Sequence, residues 1–313
     1  MSLSEVNVQA MPKIAVCLAA YNGIRWLPEQ LNSILEQMGV SVTVFISVDR
    51  SMDGTEAWVS QRALADRRIL VLPHGEKFGG AARNFFRLIR DVDFSGFDYI
   101  SFADQDDIWL PDKLLRAHTL LQSNGADAYS SNVLAFWPNG REFLINKSHP
   151  QVEWDFLFEA AGPGCTYVFK RELASALQEL VKNRWADVQE IGLHDWFSYA
   201  FARAHGFRWF IDEKPGMLYR QHDENHVGVN VGWGAFFYRA QKVFGGWGLT
   251  QSALTARLVG LAEDRFVLRW STGSRLGILS LALSARRCRR RLRDRMIFAL
   301  SCLVMCVAGP RIQ

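Results

Sequence analysis

The sequence predicts an α/β protein: a mixed, mostly parallel sheet flanked by helices, extended by a helical C-terminal region. Three observations predict it. Short apolar runs alternate with amphipathic stretches from residue 14 to residue 123, a switching between strand and helix periods. Such alternation builds a sheet covered on both faces. Polar and acidic residues follow several of the apolar runs, where open α/β sheets bind their ligands.

The elements follow in order. Residues 14–19 form a strand, and 24–37 a helix with Leu27, Leu31, Ile34 and Leu35 on one face. A second strand covers 42–48, and Ser51 caps a helix running to Asp66. Residues 69–72 form a strand, 81–90 a helix and 99–103 a strand. Pro111 suits the first turn of a helix that reaches Ser123. Beyond residue 127 the alternation loosens. Residues 128–136 and 166–170 read as strands, 172–182 and 195–203 as helices, and 208–211 and 217–220 as short strands. Gly162-Pro163-Gly164-Cys165 is a turn. Gly228, Gly232, Gly234, Gly245, Gly246 and Gly248 mark a change of architecture near residue 230. Residues 233–275 read as helical and aromatic-rich, with Trp233, Phe236, Phe237, Tyr238, Phe244 and Trp247.

The 313 residues suffice for one large domain and an appendage, and 49% apolar with 22% charged residues is ordinary globular composition. Cys17, Cys165, Cys288, Cys302 and Cys306 form no C-x-x-C pair and suit a reducing cytosol. No secretory signal is expected from residues 1–11. Seven arginines and one aspartate in residues 286–295 give +6, against +4 for the whole chain, which leaves −2 elsewhere. The basic character is local, so a nucleic-acid-binding face spread over the fold is excluded, and one local anionic partner is expected.

The strand at 99–103 runs directly into Asp104-Gln105-Asp106-Asp107. Three carboxylates at a buried strand end need water, a cation or a partner. Asp104 and Asp106 stand two apart, so both reach one divalent ion. Mg2+ or Mn2+ takes oxygen ligands and is often shared with substrate phosphates, which points to a phosphate-bearing substrate. A solvated acidic turn is the alternative for this run taken alone. Asn22, Asp49 and Asp104 all fall just past strand ends and converge on one crevice.

Three stretches now stand in order: Ala20-Tyr21-Asn22-Gly23, then residues 47–55 (Ser-Val-Asp-Arg-Ser-Met-Asp-Gly-Thr), then residues 104–109 (Asp-Gln-Asp-Asp-Ile-Trp). Together they resemble the family 2 inverting glycosyltransferases with the GT-A nucleotide-sugar-binding fold, in the rhamnosyltransferase-like branch of bacterial polysaccharide synthesis. The resemblance covers residues 12–226. It implies a dTDP- or UDP-sugar lying across the strand ends. It implies donor contacts from Ala20, Tyr21, Asn22 and Asp49, a carboxylate accepting from the pyrimidine N–H. Asp104 then faces the ribose or sugar with Gln105 beside it, and Asp106 holds Mg2+ or Mn2+. Lys77, Gly79, Gly80, Arg83 and Asn84 resemble the segment packed near the donor. There Arg83 meets phosphate, with a plain helix start as the alternative for the glycines.

Residues 192–197 (Gly-Leu-His-Asp-Trp-Phe) resemble the family's acceptor-side motif. Asp195 is then the general base, and His194, Trp196 and Trp109 lie on the acceptor side. An N-cap role for Asp195 is compatible with this. Tyr219-Arg220-Gln221-His222, followed by Asn225, resembles a third signature. It implies His222 on the metal or diphosphate and Arg220 on phosphate. The second-strand motif departs from the family pattern: Val48 replaces an aspartate, Arg50 a glycine and Met52 a threonine. One carboxylate, Asp49, is left for the nucleobase.

The tail is distinct. An apolar stretch at 276–285 precedes the arginine run, and thirteen apolar or small residues, 296–308, follow it. Thirteen helical residues reach roughly 20 Å against about 30 Å of bilayer hydrocarbon. A helix lying on an anionic membrane surface fits 276–308 better than a span. A core or dimerisation helix with a solvated basic connector is the alternative. The expected organisation is a tail at 1–11, a GT-A domain at 12–226 and a helical, membrane-associating region at 227–313. The expected protein is a cytoplasmic glycosyltransferase, peripheral at the inner face of a bacterial membrane, acting on a glycan or lipid-linked acceptor. A non-catalytic nucleotide-sugar-binding scaffold is the alternative. An aspartyl phosphohydrolase is disfavoured, because Ile108 stands where its nucleophile motif wants threonine or valine.

Overall fold

The computed structural model describes residues 10–74, 77–222 and 246–308. Asn225, the glycines at 228–245 and the aromatics at 233–244 lie outside the described residues.

The chain opens with β1 (Lys13–Ala20), α1 (Leu27–Leu35), β2 (Ser41–Val48), α2 (Thr55–Ala65), β3 (Ile69–Val71), α3 (Ala81–Asp91) and β4 (Tyr99–Ala103). It continues through β5 (Ile108–Trp109), α4 (Lys113–Ser123), β6 (Ala128–Ser131), β7 (Val133–Phe136) and β8 (Glu142–Ile145). Then come β9 (Val168–Lys170), α5 (Arg171–Asn183), α6 (Trp185–Val188), α7 (His194–Ala204), β10 (Trp209–Asp212) and β11 (Met217–Arg220). The C-terminal region holds α8 (Trp247–Leu258), α9 (Arg265–Ser271), α10 (Arg275–Leu283), α11 (Ala285–Cys288) and α12 (Leu292–Ala308).

Seven strands form the main sheet in the order β10-β6-β9-β4-β1-β2-β3. β9 runs antiparallel to β4 and β6, and the other pairings are parallel. The period-two pattern of β1 explains the layering. Ile14, Val16 and Leu18 face one core with α1 and α4, while Ala15 and Cys17 face the other with α3, α5 and α7. A smaller sheet, β5-β11-β7-β8, stands beside it. It carries the end of β11 to the loop after β4.

Several local readings change. The expected strand at 128–136 breaks at Asn132 into β6 and β7, which join different sheets. The buried Asn132 amide donates to Glu213 O at 2.8 Å and accepts from Lys147 N at 2.6 Å. Ser51 does not cap α2. Asp53 Oδ1 accepts from Thr55 N at 3.0 Å, while Ser51 Oγ accepts from Asn22 N at 2.9 Å. The helix expected at Pro111 begins two residues later, and the Pro111 carbonyl accepts from Met38 N at 3.0 Å.

The C-terminal helices share the core on the α3 side. Trp270, fully buried, packs at 5.4 Å from Phe158, and Ile278, Leu281, Cys288 and Cys302 join the same cluster. The arginine run is more than a solvated connector. Arg290 is buried beside Asp155 and Glu159, each 3.5 Å away, and Arg287 pairs with Glu153 at 2.6 Å. The outer face of α12 is different: Leu292, Met296, Leu300, Leu303 and Val307 recur at helical spacing and are exposed. Among the described residues no helix is long and apolar enough to cross a membrane.

Candidate active site

β1 lies between β2 and β4, so the segments after these three strands meet along one edge. Their loops are tied to one another by side chains. Gln105 accepts from Tyr21 N through Oε1 at 2.8 Å and donates to Tyr21 O through Nε2 at 2.9 Å. A Cβ on Gly23 would lie 2.2 Å from Gln105 Oε1, so any larger residue would displace the Gln105 side chain from these bonds. Asn22 adopts φ 45°, the left-handed region that asparagine tolerates. Its Oδ1 accepts from Met52 N at 2.9 Å. Ala20 is buried and accepts from Asp49 N at 2.8 Å, while the Tyr21 ring remains exposed.

Asp49 is 4% exposed and organises the next loop. It accepts from Arg50 N, Phe78 N and Gly79 N at 2.8–2.9 Å. Three of its roughly four acceptor directions are therefore used within the chain. Arg83, on the first turn of α3, is exposed and donates to Gln189 O at 3.1 Å. The arginine thus spans towards the segment preceding α7.

The acidic run divides into three environments. Asp106 is half-buried, and its Oδ2 lies 2.8 Å from His222 Nε2. The His222 ring stacks on Trp26 at 5.2 Å. Arg220 donates to Asp106 O at 2.9 Å, pairs with Glu29, and sits over the rings of Trp26 and Phe136. Asp107 is buried, accepts from Arg220 N at 3.2 Å and leaves its second oxygen without a hydrogen bond. Asp104 is half-buried. Burial, reinforced by the charges of Asp106 and Asp195, pushes it up to about 7.

Two groups of side chains offer themselves to a cation. Asp104, Asp107 and Cys165 bring ligand atoms within 4.8 Å of one another. Burial, with the Asp107 and Asp104 charges, holds the Cys165 thiol well above its ordinary value, so it is no thiolate ligand for a hard ion. The Asp106–His222 pair fits Mg2+ or Mn2+ better, with a carboxylate and an imidazole in contact.

Asp195 is in the first turn of α7, and its Oδ1 accepts from Trp196 N at 2.7 Å. Burial pushes its carboxyl up to about 6, against the hydrogen bond from Trp196 N–H and the Lys147 charge. The turn at Gly162–Gly164 packs against this start of α7: a Cβ on Gly164 would lie 2.7 Å from His194 Nε2 and 3.1 Å from Asp195 Cβ. His194 is buried, stacks on Phe85 at 3.8 Å and is pushed down to about 3 by burial. It is a neutral packing residue, not an open acceptor contact. Trp109 is likewise core, 2% exposed, with Lys113 Nζ 3.4 Å above its ring centroid. Trp196 is buried too, donating to Phe156 O at 2.9 Å, yet its other face lines a cavity.

The sequence reading missed Trp26 and Glu29, which hold His222 and Arg220, and Lys147, which acts on Asp195. A tryptophan just before the Leu27-Pro28 start of α1 was the available signal for the first pair. Lys147 had none, because it is brought in by the small sheet.

Residues 15–167 match glycosyl transferase family 2. The chain is 44% identical over 284 residues to the dTDP-rhamnosyl transferase RfbG of Shigella flexneri, covering 90% of this chain and 98% of that one. Its fold is similar to that of Staphylococcus aureus TarS 1-349 in complex with UDP-GlcNAc, with TM-score 0.56 and 15% identity over 94% of this chain and 81% of that one. It is also similar to the mannosyltransferase PcManGT of Pyrobaculum calidifontis in complex with GDP-Man and Mn2+, with TM-score 0.51 and 18% identity over 95% and 88%. With its strand-end motifs in order and a GT-A architecture, the chain belongs to glycosyl transferase family 2 and is a glycosyltransferase.

Proposed function

We propose that the protein transfers rhamnose from dTDP-rhamnose, with inversion, to a hydroxyl of a lipid-linked glycan in bacterial surface polysaccharide synthesis. The observation that carries this reading is the position of Asp104. Its carboxylate lies within 4.8 Å of Cys165 Sγ, and the preceding Gly164 packs against Asp195, so one short segment separates the donor-side acid from the candidate base. The relationship to a dTDP-rhamnosyl transferase supports the choice of donor.

In this reading the nucleotide lies along Ala20, Tyr21, Asn22 and Asp49, with the exposed Tyr21 ring offering aromatic surface. Arg83 and Arg220 face the diphosphate side, and Asp104 and Gln105 the ribose and sugar. Asp106 and His222 would hold a divalent ion, which would supply positive charge for the departing diphosphate. Asp195 accepts the proton of the acceptor hydroxyl. The freed oxygen attacks the anomeric carbon opposite the leaving group, the bond to the diphosphate oxygen breaks, and configuration inverts. A carboxylate held up to about 6 is matched to this task near neutral pH.

The exposed apolar row of α12, beside the exposed Arg286, Arg291 and Arg293, supports a peripheral seat on anionic lipid at the cytoplasmic face. The test is release of dTDP from dTDP-rhamnose in the presence of Mn2+ and membrane extract as acceptor source. Acceptor-dependent release supports the reading. Release from UDP-glucose but not from dTDP-rhamnose contradicts it.

A further inference from the structure

The antiparallel pairing of β5 with β11 is short: Met217 faces Trp109 and Leu218 faces Ile108. Leu110 N donates to Gly216 O at 3.0 Å at its near end. Carried on in the same register, the ladder sets Arg220 opposite Asp106. There side chains close it. Asp107 Oδ1 accepts from Arg220 N at 3.2 Å, and Arg220 Nε donates to Asp106 O at 2.9 Å. The other edge of β11 is held by β7, where Arg220 pairs with Phe136 and Gln221 N donates to Phe136 O at 2.9 Å. His222 follows directly, with Nε2 2.8 Å from Asp106 Oδ2. The reach of His222 to the acidic loop is therefore set by the residue pair that Asp107 closes.

Asp107 is the member of the acidic run that the transfer chemistry leaves unused. It is 1% exposed, and its Oδ2 carries no hydrogen bond. Cys165 Sγ and an Asp104 oxygen stand within 4.8 Å of its carboxylate. A buried acid with so few partners is costly, and an apolar side chain would fill the same place without that cost. What the acid supplies is an acceptor for Arg220 N. Its neighbour Asp106 is half-buried and meets His222 instead. Adjacent carboxylates thus divide the work: Asp106 meets the imidazole, and Asp107 fixes the strand that carries it.

We propose that Asp107 is a positioning residue: by taking the Arg220 N–H it sets the end of β11 so that His222 meets Asp106 at the cation site. The inference deepens the metal half of the proposed function and rests on that reading. Asp107 acts on the ion only through His222. Hydrogen bonds that orient a ligand from outside commonly govern metal affinity as strongly as this requires. The competing account makes Asp107 a direct ligand, together with Asp104 and Cys165, and it gives the opposite forecast for the amide variant.

The test is a titration of Mn2+ into the full chain held with dTDP, with the free ion read by electron paramagnetic resonance. Asp107→Val removes the acceptor and is expected to weaken Mn2+ about 10–100-fold. Asp107→Ala removes the same acceptor without a branched side chain, so one variant remains readable if the other fails to fold. Asp107→Asn keeps an acceptor oxygen for Arg220 N and is expected to stay within about threefold of the parent. Because Asp107 acts through His222, adding Asp107→Val to His222→Ala is expected to cost less than about twofold more, the non-additivity of coupled neighbours. Asp107→Asn as weak as Asp107→Val overturns the proposal in favour of a direct ligand. A full additional loss in the double variant overturns it too, and so does a lowered melting temperature with unchanged Mn2+ affinity. His222→Ala alone reports the metal reading. Unchanged Mn2+ affinity there removes that reading and the inference with it, whereas a loss in His222→Ala without one in Asp107→Val overturns the inference alone.

Discussion

His222 Nε2 stands 2.8 Å from Asp106 Oδ2 across 116 positions of sequence. β11 makes this contact by pairing with both β5 and β7, which delivers the end of the strand to the acidic loop. His222→Ala is expected to raise the Mn2+ concentration needed for half-maximal transfer at least tenfold. His222→Gln recovers part of the loss only if a neutral ligand atom is what matters. Metal titrations of the initial rate check this, and an unchanged midpoint removes His222 from the metal site.

Asp195→Asn keeps the size and hydrogen-bond acceptor of the side chain but removes its basicity. Transfer is expected to fall about 10²–10⁴-fold, the usual contribution of a positioned base. The dissociation constant of dTDP is expected to stay within about twofold, since no donor contact is assigned to this side chain. Single-turnover kinetics beside dTDP binding separate the two effects. Near wild-type turnover sinks the assignment.

The carboxyl of Asp195, held up to about 6, accepts a proton only when ionised. The rate of the chemical step therefore falls towards tenfold per pH unit below about 6 and levels off above it. Lys147 opposes the upward shift, so Lys147→Met is expected to move this acidic limb to higher pH. A pH–rate profile of the two proteins reads the displacement. A limb that stays in place or moves to lower pH contradicts the electrostatic account.

The paired hydrogen bonds between Gln105 and the Tyr21 backbone close the donor side. Losing both costs about 1–3 kcal/mol at about 0.5–1.5 kcal/mol each. Gln105→Ala is therefore expected to lower the melting temperature by a few degrees and, by loosening the Tyr21 backbone, to raise the donor KM. Gly23→Ala, which drives a Cβ into the Gln105 amide, is expected to act in the same direction. Steady-state kinetics with varied donor test both variants.

Arg290 closes a buried network in which Asp155 also accepts from Tyr199 at 2.8 Å and from Arg203 at 3.0 Å. Burial pushes Asp155 up, and Arg203 and Arg290 oppose it. Removing one partner of a buried pair leaves an uncompensated charge, a cost of about 3–5 kcal/mol. Arg290→Ala is expected to destabilise by that amount in urea unfolding. Exposed Arg293→Ala, whose partner Asp294 is its immediate neighbour, is expected to lose under about 1 kcal/mol.

Strand and helix periods made the first half of the fold legible, and the β11 reading at 217–220 agrees with the structure to the residue. The break at Asn132 was not legible, because a continuous apolar run carries no mark of the sheet each half joins. The convergence of Asn22, Asp49 and Asp104 followed from strand ends alone. The acceptor-side reading was weaker: His194 and Trp109 stand near the candidate carboxylates in sequence but are buried. A residue adjacent to a catalytic candidate on a helix points elsewhere. The tail carried a mixed signal, since Arg287, Arg289 and Arg290 serve ion pairs with the catalytic half while the outer face of α12 stays apolar and exposed.

The most direct test of the central claim is a thermal-shift series with dTDP, UDP, GDP and CDP, each with and without Mn2+. A ligand present at about 100 times its dissociation constant adds about 2.7 kcal/mol to the folded state. The account predicts stabilisation by several degrees with dTDP and Mn2+ together, much less with dTDP alone, and loss of the metal-dependent part in His222→Ala. Equal stabilisation by all four nucleotides without metal, or none by any of them, would contradict it.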